Sequence, residues 1–346
     1  MTFPQEIFPR PGREKEQDVS FKESGKWIKA ALCAVGLLLF LYLVRRIGLQ
    51  TLWTNLSRFG PWFLLTCLLA AVWLFFQAGA WYLVQNAFFQ RVPLISLFRI
   101  KIISDALNML LPLASLGGDA VRAFLIKKDV PLREGIPGVL FDKTIEFVAA
   151  TLFLMSGFLL ALIFIPLPGT LMIPVIVCLG ITIVGVVLLV FFQMQGVYRT
   201  LVKLAGFIPK VRGWIQSRES QFLAMDQNLR LLYTCSKAKI GFALGLHILA
   251  RIAGLVEVMV ILAVLKAPVN FVQALFISTV VTAGNSLFFL LPGQWGVMES
   301  SHILVVQSLG YPAAIGLSLS IIRRIRKLAF VGLGLIFFAS GKRKLS

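Results

Sequence analysis

The feature that most constrains this chain is a series of long apolar runs. About 20 predominantly apolar residues in a row are enough to span a bilayer. Runs of that kind recur at about Trp27–Val44, Pro61–Gln85, Thr144–Ile165, Leu171–Phe192, Ile240–Leu265 and Pro312–Ser340. Backbone inside a bilayer must satisfy its own hydrogen bonds, which leaves helices and closed barrels. None of the runs alternates polar and apolar residues as a barrel strand does. The expected fold is therefore an all-α integral membrane protein with about six full spans. Composition agrees: 58% of the 346 residues are hydrophobic and 14% are charged, against about 25% charged in soluble domains.

The net charge of +19 has two readings, nucleic acid or a membrane with its positive side inward. Placement favours the membrane. The stretch Gln193–Lys239 carries Arg199, Lys203, Lys210, Arg212, Arg218, Arg230, Lys237 and Lys239 against Glu219 and Asp226. Five basic residues fall in Arg122–Lys143, and Lys342, Arg343 and Lys344 end the chain. The turn Pro166–Thr170 has no charge. This asymmetry puts both termini in the cytoplasm, with no nucleic-acid partner. The basic loops can also touch anionic lipid headgroups. Arg45, Arg46 and Arg58, read as a short loop after the first span, run against the pattern.

The organisation expected from this is a polar cytoplasmic tail at 1–26, a transmembrane domain at 27–340 and a basic cytoplasmic tail at 341–346. The basic loop 193–239 is expected to hold an amphipathic surface helix around Pro209–Leu232. Cys33, Cys67 and Cys178 lie in apolar spans and Cys235 in the basic loop, with no zinc or disulfide spacing. With two histidines, no metal site is expected, and no cofactor. No nucleophile triad, phosphate loop or nucleotide fingerprint is present, so the chain is not expected to be an enzyme.

Two apolar segments are broken. Ser96–Leu111 contains Arg99, Lys101 and Asp105, stops at Pro112, and is followed by Gly117, Gly118, Asp119 and Arg122. Phe271–Leu291 stops at Pro292-Gly293 and is followed by Gly296, Glu299 and His302. Each arm is too short to span, and proline and glycine break the helix between them. Each segment is read as a re-entrant hairpin of two half-helices. Both breaks begin Leu-Pro, place an acid seven residues after the proline and a basic or titratable residue ten after it. Tracking the chain from a cytoplasmic N-terminus, span–hairpin–span occurs twice in opposite orientation, at about 61–165 and 240–340. Inverted repeats with broken helices at matching positions are a transporter signature, with the site near the midplane.

Gly117-Gly-Asp-x-x-Arg122 and Leu291-Pro-Gly-x-x-Gly-Val-x-Glu299 resemble the two signature segments of the lysylphosphatidylglycerol synthase transmembrane (flippase-like) family. That family usually reads Pro-Gly-Gly-Leu-Gly-x-x-Glu in the second segment, and here Gln294 and Trp295 depart from it. Arg323-Arg-x-Arg326 is also similar. Leu111–Asp119 and Leu317–Arg326 look most like its hopanoid-biosynthesis-associated branch. The resemblance covers about Trp27 to Ser340. It implies a multi-pass lipid-handling protein of the bacterial cytoplasmic (inner) membrane, moving a phospholipid, glycolipid or hopanoid-type lipid between leaflets. The chain ends at Ser346, so the soluble aminoacyl-transferase domain and lysyl transfer are not expected.

A charge at the bilayer centre costs about 2.5–3.5 kcal/mol on insertion scales, so the intramembrane charges call for a role. Arg122, Arg323 and Arg251 are candidates to bind a lipid phosphate, because guanidinium is a planar bidentate donor. Asp119 and Glu299 would orient them, or take a cationic headgroup or a proton. Gly117, Gly118, Pro292 and Gly296 shape the half-helix ends, whose N–H groups near Gly118 and Gly296 could face an anion. A structural reading stays open beside this one, in which Arg–carboxylate pairs only hold the hairpins together. Lys101 and Asp105, at i, i+4, are expected to form an interfacial ion set with Arg99. His247 and His302 are expected to be packed polar residues. The alternatives to transport are an accessory subunit or enzyme of lipid biosynthesis, or a lipid-binding scaffold for such enzymes.

Overall fold

The computed structural model describes residues 49–87, 92–110, 116–165, 169–196, 216–234, 236–287 and 296–342, with the single residues 42, 45, 200, 202 and 213. The described residues are helical with no strand. In chain order the helices are α1 (Leu49–Phe59), α2 (Phe63–Gln85), α3 (Leu94–Leu110), α4 (Leu116–Ile126), α5 (Leu132–Phe164) and α6 (Gly169–Gln195). Then come α7 (Glu219–Tyr233), α8 (Lys237–Val264), α9 (Phe271–Leu287), α10 (Val297–Ser308) and α11 (Ala313–Lys342).

Four stretches are long and apolar enough to cross a membrane: Leu49–Gln85, Leu132–Phe164, Ile176–Gln195 and Lys237–Val264. At 30 residues, α11 is about 45 Å long at 1.5 Å per residue, though four charges interrupt it. The expected spans at Pro61–Gln85, Leu171–Phe192, Ile240–Leu265 and Pro312–Ser340 thus correspond to α2, α6, α8 and α11. The tail at 1–26 and nearly all of the expected first span lie outside the described residues; of the expected tail 341–346, the first two residues belong to α11 and the rest lie outside them.

Two expectations are corrected. The stretch before Gly60 is not a loop through Arg58. It is helix α1, which buries Leu52, Asn55 and Phe59 and exposes Trp53. An apolar stripe on an otherwise polar helix drives that packing. Likewise the third span starts at Leu132, twelve residues before Thr144, so Asp142 and Lys143 are inside it. Hydropathy had ended the span at those two charges. In the structure each has an opposite charge facing it from another helix.

Pro137 lies inside α5. Proline has no N–H and so leaves the carbonyl four residues back, Arg133, without its helical donor. The Asn228 Nδ2 of α7 donates to that carbonyl at 2.7 Å. This bond holds the surface helix α7 on α5, where Leu229 and Leu232 are buried. The Tyr233 hydroxyl at the end of α7 donates to Gln193 Oε1 at 2.6 Å, and burial pushes its pKa up to about 12.

Contacts pair off across two units, α2–α5 and α8–α11. The opening helices α2 and α8 pack on each other. Both bury alanines, Ala78 and Ala80 on one and Ala243 and Ala250 on the other. Small residues let helices approach where lipid removes the hydrophobic drive. The first arm of each broken pair packs on the long helix of the other unit, α3 on α11 and α9 on α5. The second arm packs on its own unit's last helix, α4 on α5 and α10 on α11.

The arms meet closely. A Cβ at Gly118 would run into the Ser104 carbonyl and the Asn108 side chain, and the Asn108 Oδ1 accepts the Gly118 N–H at 2.7 Å. Only glycine fits there. In the second unit, Gly284 faces Ser301 in the same close manner.

Candidate functional site: two ion networks in the bundle

The first network joins α3, α4, α5 and α8. Arg122 on α4 is fully buried and has three partners. Its guanidinium meets Asp142 Oδ2 at 2.5 Å, Asp119 Oδ1 at 3.1 Å and the face of Trp81 at 4.2 Å from the ring centroid. Asp142 is shared, because His247 Nε2 approaches its other oxygen at 3.1 Å. Lys143 bridges Asp119 at 3.4 Å and Glu146 at 3.3 Å. Lys101, buried on α3, faces Glu146 at 3.9 Å. Lys101, Arg122 and Lys143 therefore pair with Asp119, Asp142 and Glu146, and Asp105 of α3 is a fourth carboxyl within electrostatic reach of Lys101 and Lys143.

The second network joins α8, α10 and α11. Glu299, fully buried on α10, accepts from Arg324 Nε at 2.9 Å and from its own Gly296 N–H at 2.8 Å. Arg324 Nη2 lies 2.6 Å from the same carboxylate. Glu257 on α8 pairs with Arg326 at 2.8 Å and Arg323 at 3.4 Å. His302 Nδ1 lies 2.7 Å from the Met298 carbonyl. A carbonyl only accepts, so Nδ1 carries the proton and Nε2 presents a lone pair. Arg323 Nη1 lies 3.5 Å from that Nε2. Three arginines here stand against two carboxylates. Lys327, exposed and one turn beyond Arg323, makes no ion pair among the described residues.

His247 and Glu257 are ten residues apart on α8, so the two networks lie about 15 Å apart along that helix at 1.5 Å per residue. Arg251 falls between them. Its guanidinium lies over the Phe153 ring at 5.8 Å and has no ion-pair partner among the described residues.

Of the residues picked out in the sequence, Asp119 and Arg122 meet as expected. Glu299 and Arg323 do not pair with each other: Glu299 takes Arg324 and Arg323 takes Glu257. Gly117 and Gly118 open α4 and Gly296 caps α10, with φ +79°. Pro292 lies outside the described residues. The N–H groups expected to face an anion at Gly118 and Gly296 are already taken, by Asn108 and Glu299. Lys101 is within electrostatic reach of Asp105, as expected, but its ion pair is with Glu146, and Arg99 stands apart, exposed near the Phe337 ring. His247 and His302 are packed and buried, as expected. Sequence reasoning missed Asp142 and Glu146, and named Arg326 in a motif without giving it a partner. The available signal was an acid four residues before another, Asp142 and Glu146, on what is one helical face.

The family model for the transmembrane region of lysylphosphatidylglycerol synthase matches residues 27–334. The chain belongs to that family and is a multi-pass membrane protein. No curated protein and no solved structure matches it.

Proposed function

We propose that this member of the lysylphosphatidylglycerol synthase transmembrane family moves an anionic lipid between the leaflets of the bacterial cytoplasmic membrane. It acts by binding and release, without making or breaking bonds. The observation that carries this reading is the cationic surplus of the second network. Four cations, Arg323, Arg324, Arg326 and Lys327, stand against the carboxylates Glu257 and Glu299 and the nearby Asp105 of α3. Uncompensated charge within the bilayer is expensive, and an anionic ligand would neutralise it.

Arg323 is the reader of the phosphate in this scheme. Its side chain is 18% exposed, against 6% for Arg324 and 9% for Arg326. Its pair with Glu257 is the loosest of the three, so a phosphate can replace the carboxylate at least cost. Arg324, locked on Glu299, positions α10 against α11. Arg251, unpaired between the networks, offers a phosphate a resting point along α8. Each cation of the first network already has a carboxylate partner, so that network has no free cation to offer and serves as the anchor of the first hairpin. A glycolipid or hopanoid-type lipid would be carried by this chemistry only if it bears an acidic group.

The test is purified protein in vesicles with chain-labelled phosphatidylglycerol or phosphatidylcholine, followed by quenching of the outer-leaflet label. Phosphatidylglycerol is expected to redistribute. Arg323→Gln combined with Lys327→Gln should slow it roughly tenfold to a hundredfold, the range for losing a bond to a charged partner. Unchanged distribution of every lipid class with wild-type protein would sink the reading.

A further inference from the structure

The start of α2 and the end of α8 lie side by side and enclose a groove of about 580 Å³. Its wall is Leu65, Val260, Ala263 and Val264, and at its rim stand Trp62, Arg58 and Lys266. No acidic residue lines it, and neither cation forms an ion pair among the described residues. α8 ends there, and the 23-residue α2 begins there after the 3-10 turn Gly60–Trp62 that joins it to α1; a span of that length places its end at the headgroup level of one leaflet. Tryptophan favours that level, and Trp62 is half exposed.

Arg58 is delivered by a fixed element. α1 is pinned by Leu52 and Phe59 in the core and by Asn55 Nδ2, which donates to Ser318 Oγ at 2.9 Å. Lys266 is in an unusual backbone position. The Ala267 N–H bonds to the Leu262 carbonyl at 2.9 Å and the Lys266 N–H to the Ala263 carbonyl at 3.1 Å. This is the helix-ending turn whose left-handed residue is ordinarily glycine. Here that residue is Lys266, with φ +59°, the sole non-glycine with positive φ among the described residues. Such strain at a surface position points to a use for the side chain.

We propose that this groove is a binding site for an anionic phospholipid of the adjacent leaflet. The phosphate sits between Arg58 and Lys266, and one acyl chain lies along Leu65, Val260 and Val264. The site is separate from both ion networks and does not rest on the transport reading. A zwitterionic lipid presents the same phosphate but brings a cation into a rim that already holds two. The groove therefore prefers a lipid of net negative charge.

Trp62 reports occupancy. The protein is placed in nanodiscs of phosphatidylcholine containing increasing brominated phosphatidylglycerol, or brominated phosphatidylcholine as the control. The quenching lost in Trp62→Phe isolates the signal of Trp62. Brominated phosphatidylglycerol is expected to quench at a lower mole fraction than brominated phosphatidylcholine. Arg58→Gln and Lys266→Gly should each weaken that preference roughly fivefold, as for one interfacial cation near an anionic lipid. Lys266→Gly puts the favoured residue into the left-handed turn, so it should hold or raise thermal stability while losing the lipid. It carries the test even if Arg58→Gln fails to insert. Equal quenching by the two brominated lipids, or a preference that survives Lys266→Gly, overturns the proposal and leaves the transport reading intact.

Discussion

At the scale of single residues the central fact is that the buried charges are shared. Asp142 serves Arg122 and His247 at once, and Glu257 serves Arg323 and Arg326. Breaking a buried pair leaves one charge uncompensated, which destabilises by about 3–5 kcal/mol. Asp142→Asn is therefore expected to lower thermal stability by about that much, read as the detergent-solubilised monomer peak surviving a heat step. Asp119→Asn should lose clearly less, because Asp119 is 13% exposed and Arg122 keeps Asp142. Equal losses would remove Asp142 from its place as the anchor. Arg122 and Asp119 were legible in the sequence, being three residues apart on one helix. Asp142 was not. Its partners are 20 and 105 residues away, and an acid in an apolar run gives no hint of which distant group neutralises it.

At the scale of elements, the two broken helices depend on close approach. At Gly118 the obstacle to a Cβ includes the Ser104 carbonyl, which is backbone and cannot rotate away. Gly118→Ala should separate α3 from α4 and destabilise by about 1–3 kcal/mol, as overpacking does. Asn108→Ala should not rescue it, because the carbonyl remains. Rescue by Asn108→Ala, measured by protease resistance in membranes, would show that the side chain was the whole obstacle. Proline and glycine marked the places where these helices stop. They could not mark where α5 begins, because its opening turns carry Arg133, Glu134, Asp142 and Lys143, which hydropathy reads as loop. The neutralisation of Asp142 and Lys143 by α4 and α8 is a tertiary matter.

At the scale of the whole molecule, two networks about 15 Å apart on α8 make a statement about access. If each opens toward its own leaflet, a thiol at Lys327 and one at Lys143 should be labelled from opposite sides of the membrane. The experiment uses Lys327→Cys and Lys143→Cys in a background with Cys33, Cys67, Cys178 and Cys235 replaced by alanine, and a membrane-impermeant maleimide on spheroplasts and inverted vesicles. Lys327→Cys is expected to react on the face of Lys266, and Lys143→Cys on the other. Reaction of both from one side would place the networks in a single cavity open to that side.

The sequence by itself determined the solvent, the helical class and the places where two apolar segments break, but not the helix α1 or the start of α5. Apolar runs of span length admit only helices in lipid, and α3 stops just before Leu111-Pro112, whereas Pro137-Gly138 sits inside α5 with the Arg133 carbonyl taken by Asn228. It also determined which residue types must be neutralised, since charge inside a bilayer is too costly to leave alone. The tertiary structure decided the pairing: Asp142 with Arg122, Glu299 with Arg324, Glu257 with Arg323 and Arg326. It also left Arg251 and Lys327 without ion partners among the described residues. Coulomb attraction depends on distance through space, and distance along the chain says little about it once helices from both units pack side by side.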